Sequence, residues 1–311
     1  MARNPMKNAR SVGLSLSILM STTSLGAAND VLHTNSAFSI SGFVSNSSIS
    51  DAISTGRSDN GVASRNRTPF TFSAANLGSD AGINVWTGGH AFEAFGNATG
   101  GGYKTHFGAG YEFGQSEIGL FYARSDELLF FGTTSASTEN NSFGAYASTG
   151  FAGNWKATGH LSFGETEIFV PGGNGKGNRT AGEITVSNSY NLGMIEMNPY
   201  LAAGAMSQEL PAMTISGTAA PARTLFAMSG AIGSTMYYQT DTNTRPFLMV
   251  AAEATSFDDG IGNSDSHIAP RLGFGVESDG EFLDFKLLVE TGEYVDGVRD
   301  RAIGLNFNLD F

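Results

Sequence analysis

The sequence predicts an all-β protein: a closed antiparallel transmembrane β-barrel of about twelve strands. Three observations lead there. The chain ends on unbroken alternation, with Ile303, Leu305, Phe307, Leu309 and Phe311 apolar and Ala302, Gly304, Asn306, Asn308 and Asp310 between them small or polar. From about Ala81 onward one unit recurs about twelve times, an alternating segment followed by a turn or loop. Charged residues make up only 15% of the chain, against the ~25% of ordinary globular proteins.

The ending is informative because chain termini fray unless something ties them down. A strand closing a membrane barrel must be apolar outward and polar inward along its whole length. The composition fits the same wall: 41 Gly, 23 Phe and 9 Tyr accompany the few charges. Mean hydropathy is −0.09, as expected where alternation averages the apolar face away. No Cys is present, so disulfides and thiolate metal sites are excluded. The net charge of −12, with no basic stripe, argues against a nucleic-acid partner.

In chain order, residues 1–28 read as a secretory signal. Arg3, Lys7 and Arg10 come first, then the short apolar run Val12 to Met20, then small residues ending Gly26-Ala27-Ala28. The run is too short for a spanning helix, which needs ~20 residues. Residues 29–80 are rich in Ser, Asn, Thr and Gly and read as a linker, a lumenal segment or a short passenger, with a short helix possible over Ser47 to Thr55. Residues 81–311 form the barrel.

Three of its segments alternate most cleanly. Tyr103, Thr105, Phe107, Ala109, Tyr111 and Phe113 oppose Lys104, His106, Gly108, Gly110 and Glu112. Trp155, Ala157, Leu161 and Phe163 oppose Lys156, Thr158, His160 and Ser162. Leu283, Phe285, Leu287 and Val289 oppose Asp284, Lys286, Leu288 and Glu290. Lipid would not accept the charges, so Lys104, His106, Glu112, Lys156, His160, Asp284, Lys286 and Glu290 are expected to line the lumen. Phe247 to Ala254 is nearly all apolar and shows no clear face. Gaps between segments tend to alternate short and long. The long ones fall at about 125–140, 165–180, 207–222, 257–266 and 292–299, the asymmetry of short periplasmic turns and longer extracellular loops.

Motifs for other chemistry are incomplete. His33, His90, His106, His160 and His267 form no i,i+4 pair or HExxH motif. Gly172 to Lys176 (GGNGK) faintly suggests a phosphate loop but lacks the following Ser or Thr. Gly233-Ser234-Thr235-Met236 has no matching Asp and His contexts, and no GxSxG elbow exists. Asp258, Asp259, Asn263 and Asp265 crowd one loop without EF-hand spacing. No enzyme and no cofactor is expected.

The order of these parts resembles the autotransporter (type V secretion) β-domain over about residues 80–311. Its local pieces are Val85-Trp86 with Gly88-Gly89, Phe107 to Phe113 (FGAGYEF), Asn198-Pro199-Tyr200 and the terminal GLNFNLDF. The resemblance implies a monomer embedded in the lipid of the bacterial outer membrane. It implies a barrel that helps carry its own N-terminal passenger outward, aided by the barrel assembly machinery. It makes Ile303, Leu305, Phe307, Leu309 and Phe311 the assembly signal, and it places a helix in the barrel just before strand one. Only about fifty residues separate signal and barrel here, far fewer than most passengers. Two other readings stay open: a surface barrel acting through its loops as an adhesin or small channel, and a soluble secreted β protein.

Overall fold

The computed structural model describes residues 70–74, 83–131, 134–215, 217–262, 264–278, 283–295 and 297–309. At 70–74, 83–90, 283–285, 294–295 and 304–309 it describes the backbone alone. Residues 1–28, expected to be a signal, and almost all of 29–80, including Ser47 to Thr55, lie outside these residues.

Among the described residues sixteen strands follow one another: β1 (Phe70–Ala74), β2 (Ile83–Gly96), β3 (Thr99–Phe113), β4 (Ser116–Phe131), β5 (Thr134–Phe151), β6 (Trp155–Val170), β7 (Gly173–Ser187), β8 (Tyr190–Asn191), β9 (Ile195–Leu210), β10 (Met213–Ile215), β11 (Thr218–Ala220), β12 (Arg223–Tyr238), β13 (Thr244–Asp258), β14 (Ser264–Ser278), β15 (Leu283–Val295) and β16 (Val298–Leu309). Twelve of them form the wall, running antiparallel in the order β2 to β7, β9, then β12 to β16. β8 is a two-residue strand beyond the break at Asn188-Ser189, still paired with β9. The β10–β11 hairpin stands apart from the wall sheet.

The wall closes where β16 pairs with β2, from Val298 opposite Gly96 to Ile303 opposite Ala91. Closure removes the exposed strand edge and pairs the backbone groups that lipid could not satisfy. Below Ile303 the seam splits, and β1 sits in it, parallel to β16 and antiparallel to β2. Residues 70–74 therefore join the wall rather than the linker to which the sequence assigned them.

One end of the barrel carries tight connections such as Gly114-Gln115, where Gly114 takes a φ of +63° that a residue with a Cβ adopts poorly. This is the turn end; the opposite end is the rim. At the rim the expected long loops are mostly strand. β4 and β5 stay paired as far as Phe131 and Thr134, and β6 and β7 as far as Val170 and Gly173. The ranges 125–140 and 165–180 are thus hairpins extending the wall. The 257–266 and 292–299 gaps shrink in the same way, and 207–222 alone keeps an inserted hairpin. Polar residues on the outer face of these extensions, among them Glu139, Asn141, Glu165 and Lys176, broke the apolar signal without breaking the pairing. With 12 to 18 residues in each wall strand, the wall is taller than the ~9–11 residues that a tilted crossing needs.

Candidate functional site

The lumen is the candidate site, because alternation sends every second side chain of each strand into it. Along β3, Lys104 and His106 are buried while Tyr103, Phe107 and Tyr111 are exposed. Along β6, His160 is buried, Lys156 is half-buried and Trp155, Leu161 and Phe163 face out. On both strands the aromatic side chains take the outward face. On β15, Lys286 is half-buried and Glu290 buried, with Leu287 exposed between them. Asp284 stands opposite Asn308 by register, and its side chain lies outside the described residues. Glu112 is a correction: it has the inward parity but is exposed, because β3 ends one residue later at the turn.

The lumenal side chains make contacts on several different strands. Lys104 Nζ lies 3.2 Å from Glu127 Oε1, and the Thr138 hydroxyl donates to Glu127 Oε2 at 3.1 Å. His160 meets the Phe121 ring edge-on at 5.9 Å between centroids. Lys286 belongs to a cluster near the turn end. Its ammonium donates to the Tyr237 hydroxyl at 2.8 Å, lies 3.5 Å from Glu277 and sits 4.9 Å from the Phe247 ring centre. Arg245 bridges Glu277 at 2.8 Å and Glu196 at 3.5 Å in the same cluster.

Glu290 belongs to a third group, whose centre the sequence reading missed. Arg271 is 1% exposed and donates from Nε to Glu253 and from both Nη atoms to Asp300, each at 2.9 Å, with Glu290 at 3.7 Å. The signal was present in Pro270-Arg271-Leu272-Gly273-Phe274, since Leu272 and Phe274 are outward and force Arg271 inward. A fourth contact, Tyr146 donating to Glu117, crosses from β5 to β4 inside the wall. Tyr146→Phe should cost about 1.5–3 kcal/mol, the loss of a hydrogen bond to a charged group. Urea unfolding in lipid vesicles checks it.

The outer surface is the reverse of the lumen. Phe107, Leu120, Phe143, Ile232, Ile268 and Phe274 are all more than half exposed, an apolar expanse that water would not leave uncovered. Near the turn end, Tyr111 stacks with Phe113 and Phe151 with Trp155. Toward the rim, Tyr122 packs on Phe143 and donates to Asn141. Beyond these rings come ions: Arg124 with Asp126 and Glu139, and Lys176 with Glu167 and Glu165. The bonds to Glu167 and Glu165 push the exposed Lys176 ammonium to a higher pKa. Ile303 of the terminal strand is 59% exposed on this outer face. Leu305, Phe307 and Leu309 share its register face, opposite Leu287, Phe285 and Leu283. Their side chains, and Phe311 entirely, lie outside the described residues.

Among the described residues, no group of three His, Asp or Glu side chains is placed to hold a metal. Asp258 and Asp259 of the acidic loop accept from the amides of Gly260 and Ile261.

A closed twelve-stranded wall, polar within and apolar without, defines a β-barrel of the outer-membrane type. Its fold is that of autotransporter β-domains. The β-domain of the Bordetella autotransporter BrkA superposes with a TM-score of 0.58 at 12% identity, covering 73% of this chain and 98% of that one. The translocator domain of the autotransporter NalP from Neisseria meningitidis gives 0.61 at 11% identity, covering 89% of this chain and 98% of that one. At such identities the likeness is one of fold. No protein-family model and no curated protein matches the chain.

Proposed function

We propose that this chain is an autotransporter-type translocator, a monomer in the bacterial outer membrane that anchors and displays its own N-terminal segment. It acts as conduit and anchor, without catalysis or cofactor. Lipid covers the apolar band, and the barrel assembly machinery inserts the wall by way of the terminal strand. The rim then faces outward and the turn end faces the periplasm.

The observation that carries this reading is where the chain joins the wall. Phe70 stands opposite Gly89, part-way up β2, and β1 then runs toward the turn end. Phe70, the first residue of β1, therefore stands at mid-depth of the wall, between lipid on one face and the lumen on the other. The preceding residues Arg65, Asn66, Arg67 and Thr68 are polar. Hydrocarbon would charge roughly 2.5–3.5 kcal/mol for each Arg at its centre, which favours the polar lumen over lipid for them. The fold likeness to autotransporter β-domains supports the same reading.

A loop-acting surface barrel is the weaker reading, since 125–140 and 165–180 are strand. The soluble reading sits badly with the exposed apolar band. An epitope tag near Asp51 decides. In intact cells the tag should be reached by antibody and cut by added protease. A tag reached only after permeabilisation would overturn display.

A further inference from the structure

The rim holds an apolar cluster where a conduit would need an opening. Phe92, Leu129, Phe131, Ile168, Leu225 and Val298 come from β2, β4, β6, β12 and β16 and are all buried. The β10–β11 hairpin belongs to the same cluster through Met213, Ile215 and Ala220, with Ile215 fully buried. An extracellular loop free in water has no reason to bury an isoleucine completely.

The direction of the hairpin follows from two glycines. Odd-numbered positions of β7 face the lumen, as buried Arg179, Ala181 and Glu183 show. Gly173 and Gly175 share that parity. A Cβ on Gly173 would meet the Thr214 carbonyl oxygen at 2.7 Å and the Met213 Cβ at 3.5 Å. A Cβ on Gly175 would collide with the Pro211 ring. The segment from Pro211 to Thr214 therefore lies on the lumenal side of β7, in the space that inward side chains at 173 and 175 would fill. Neither glycine has a positive φ, so the strand itself does not require them. The close approach of the hairpin does. This gives Gly172 to Lys176 (GGNGK) a role other than phosphate binding.

We propose that the β10–β11 hairpin is a lid, folded into the rim of the lumen on a glycine seat and held by the apolar cluster. The lid closes the lumen at its outward end and must leave its seat before anything passes. It is a property of the barrel's own mouth and stands whichever way the Asp51 tag experiment falls.

The native chain has no Cys, so a single introduced thiol reports on the lid. Ile215→Cys would be probed on intact cells with a maleimide–polyethylene glycol too large to cross the outer membrane. Ile261→Cys, at a position 46% exposed near the rim, sets the rate of an open site. The expected result is protection of position 215, with labelling roughly tenfold or more slower than at 261. Adding Gly175→Val, which suits a strand but fills the seat, should bring the rate at 215 up to that at 261. Heat-dependent gel migration confirms a folded barrel in each variant. Equal labelling at 215 and 261 without the valine would overturn the lid. Continued protection in a folded Gly175→Val barrel would overturn the glycine seat as what governs it. If Gly175→Val fails to fold, the comparison of 215 with 261 still decides whether the hairpin is seated.

Discussion

Arg271→Leu should destabilise the barrel by about 3–5 kcal/mol, the cost of breaking a buried ion pair from one side. Arg271 is 1% exposed, and Glu253, Glu290 and Asp300 around it are at most 3% exposed. One guanidinium serves three carboxylates on β13, β15 and β16, so its removal sets three like charges side by side. Leucine cannot offset this with packing, because the surrounding groups remain ionic. Arg271→Lys should fall between, since an ammonium keeps the charge but cannot donate as a fork to both oxygens of Asp300 while reaching Glu253. Asp300→Asn added to Arg271→Leu should recover part of the loss, and the double-mutant cycle gives the coupling directly. Unfolding in urea with the barrel in lipid vesicles measures each step. A loss below about 1 kcal/mol for Arg271→Leu would mean that the three carboxylates are already solvated through the lumen.

The cluster also stands near the seam of the wall. It lies on β13 to β16, and Asp300 stands opposite Ala94, above the point where β1 enters the seam. A variant that loosens the cluster should therefore weaken the wall beside that seam.

How much of this was legible in the sequence depended on whether the two faces of a strand differ. On β3 and β6 one face is aromatic or aliphatic and the other carries Lys104, His106 or His160, so parity could be read directly. On β13 it could not. Phe247 and Met249 are buried inward while Leu248 and Val250 are exposed outward, because the lumen there holds an apolar knot of Tyr237, Phe247 and Leu288. The rim failed for the opposite reason. Its outer face carries Glu139, Glu165 and Lys176 while Leu129, Phe131 and Ile168 are buried inside, so a reading tuned to lipid took Glu165 to Thr180 for a loop. Glu112 failed because parity says which way a residue points but not how far the lumen extends. The lid was hidden because its signature, two glycines in one strand, has meaning only beside Pro211 and Met213, some forty residues away.

The outer face permits a test in which two leucines on one strand are asked the same question. Leu120 and Leu128 both point outward from β4, at 69% and 42% exposure. Leu120 lies between Ala109 and Ala145 inside the apolar band. Leu128 lies beyond Arg124 and Asp126, where the wall has passed the ions. Leu120→Arg should cost about 2–4 kcal/mol, the depth-dependent charge for Arg near the bilayer midplane of a barrel. Leu128→Arg should stay within about 0.5 kcal/mol, as for an ordinary surface substitution. The contrast rests on solvent alone, since neither leucine is buried by the protein. Urea unfolding in vesicles gives both numbers. A soluble barrel would treat the two sites alike, so equal costs, or none at either site, would remove the membrane from around the wall and the translocator reading with it.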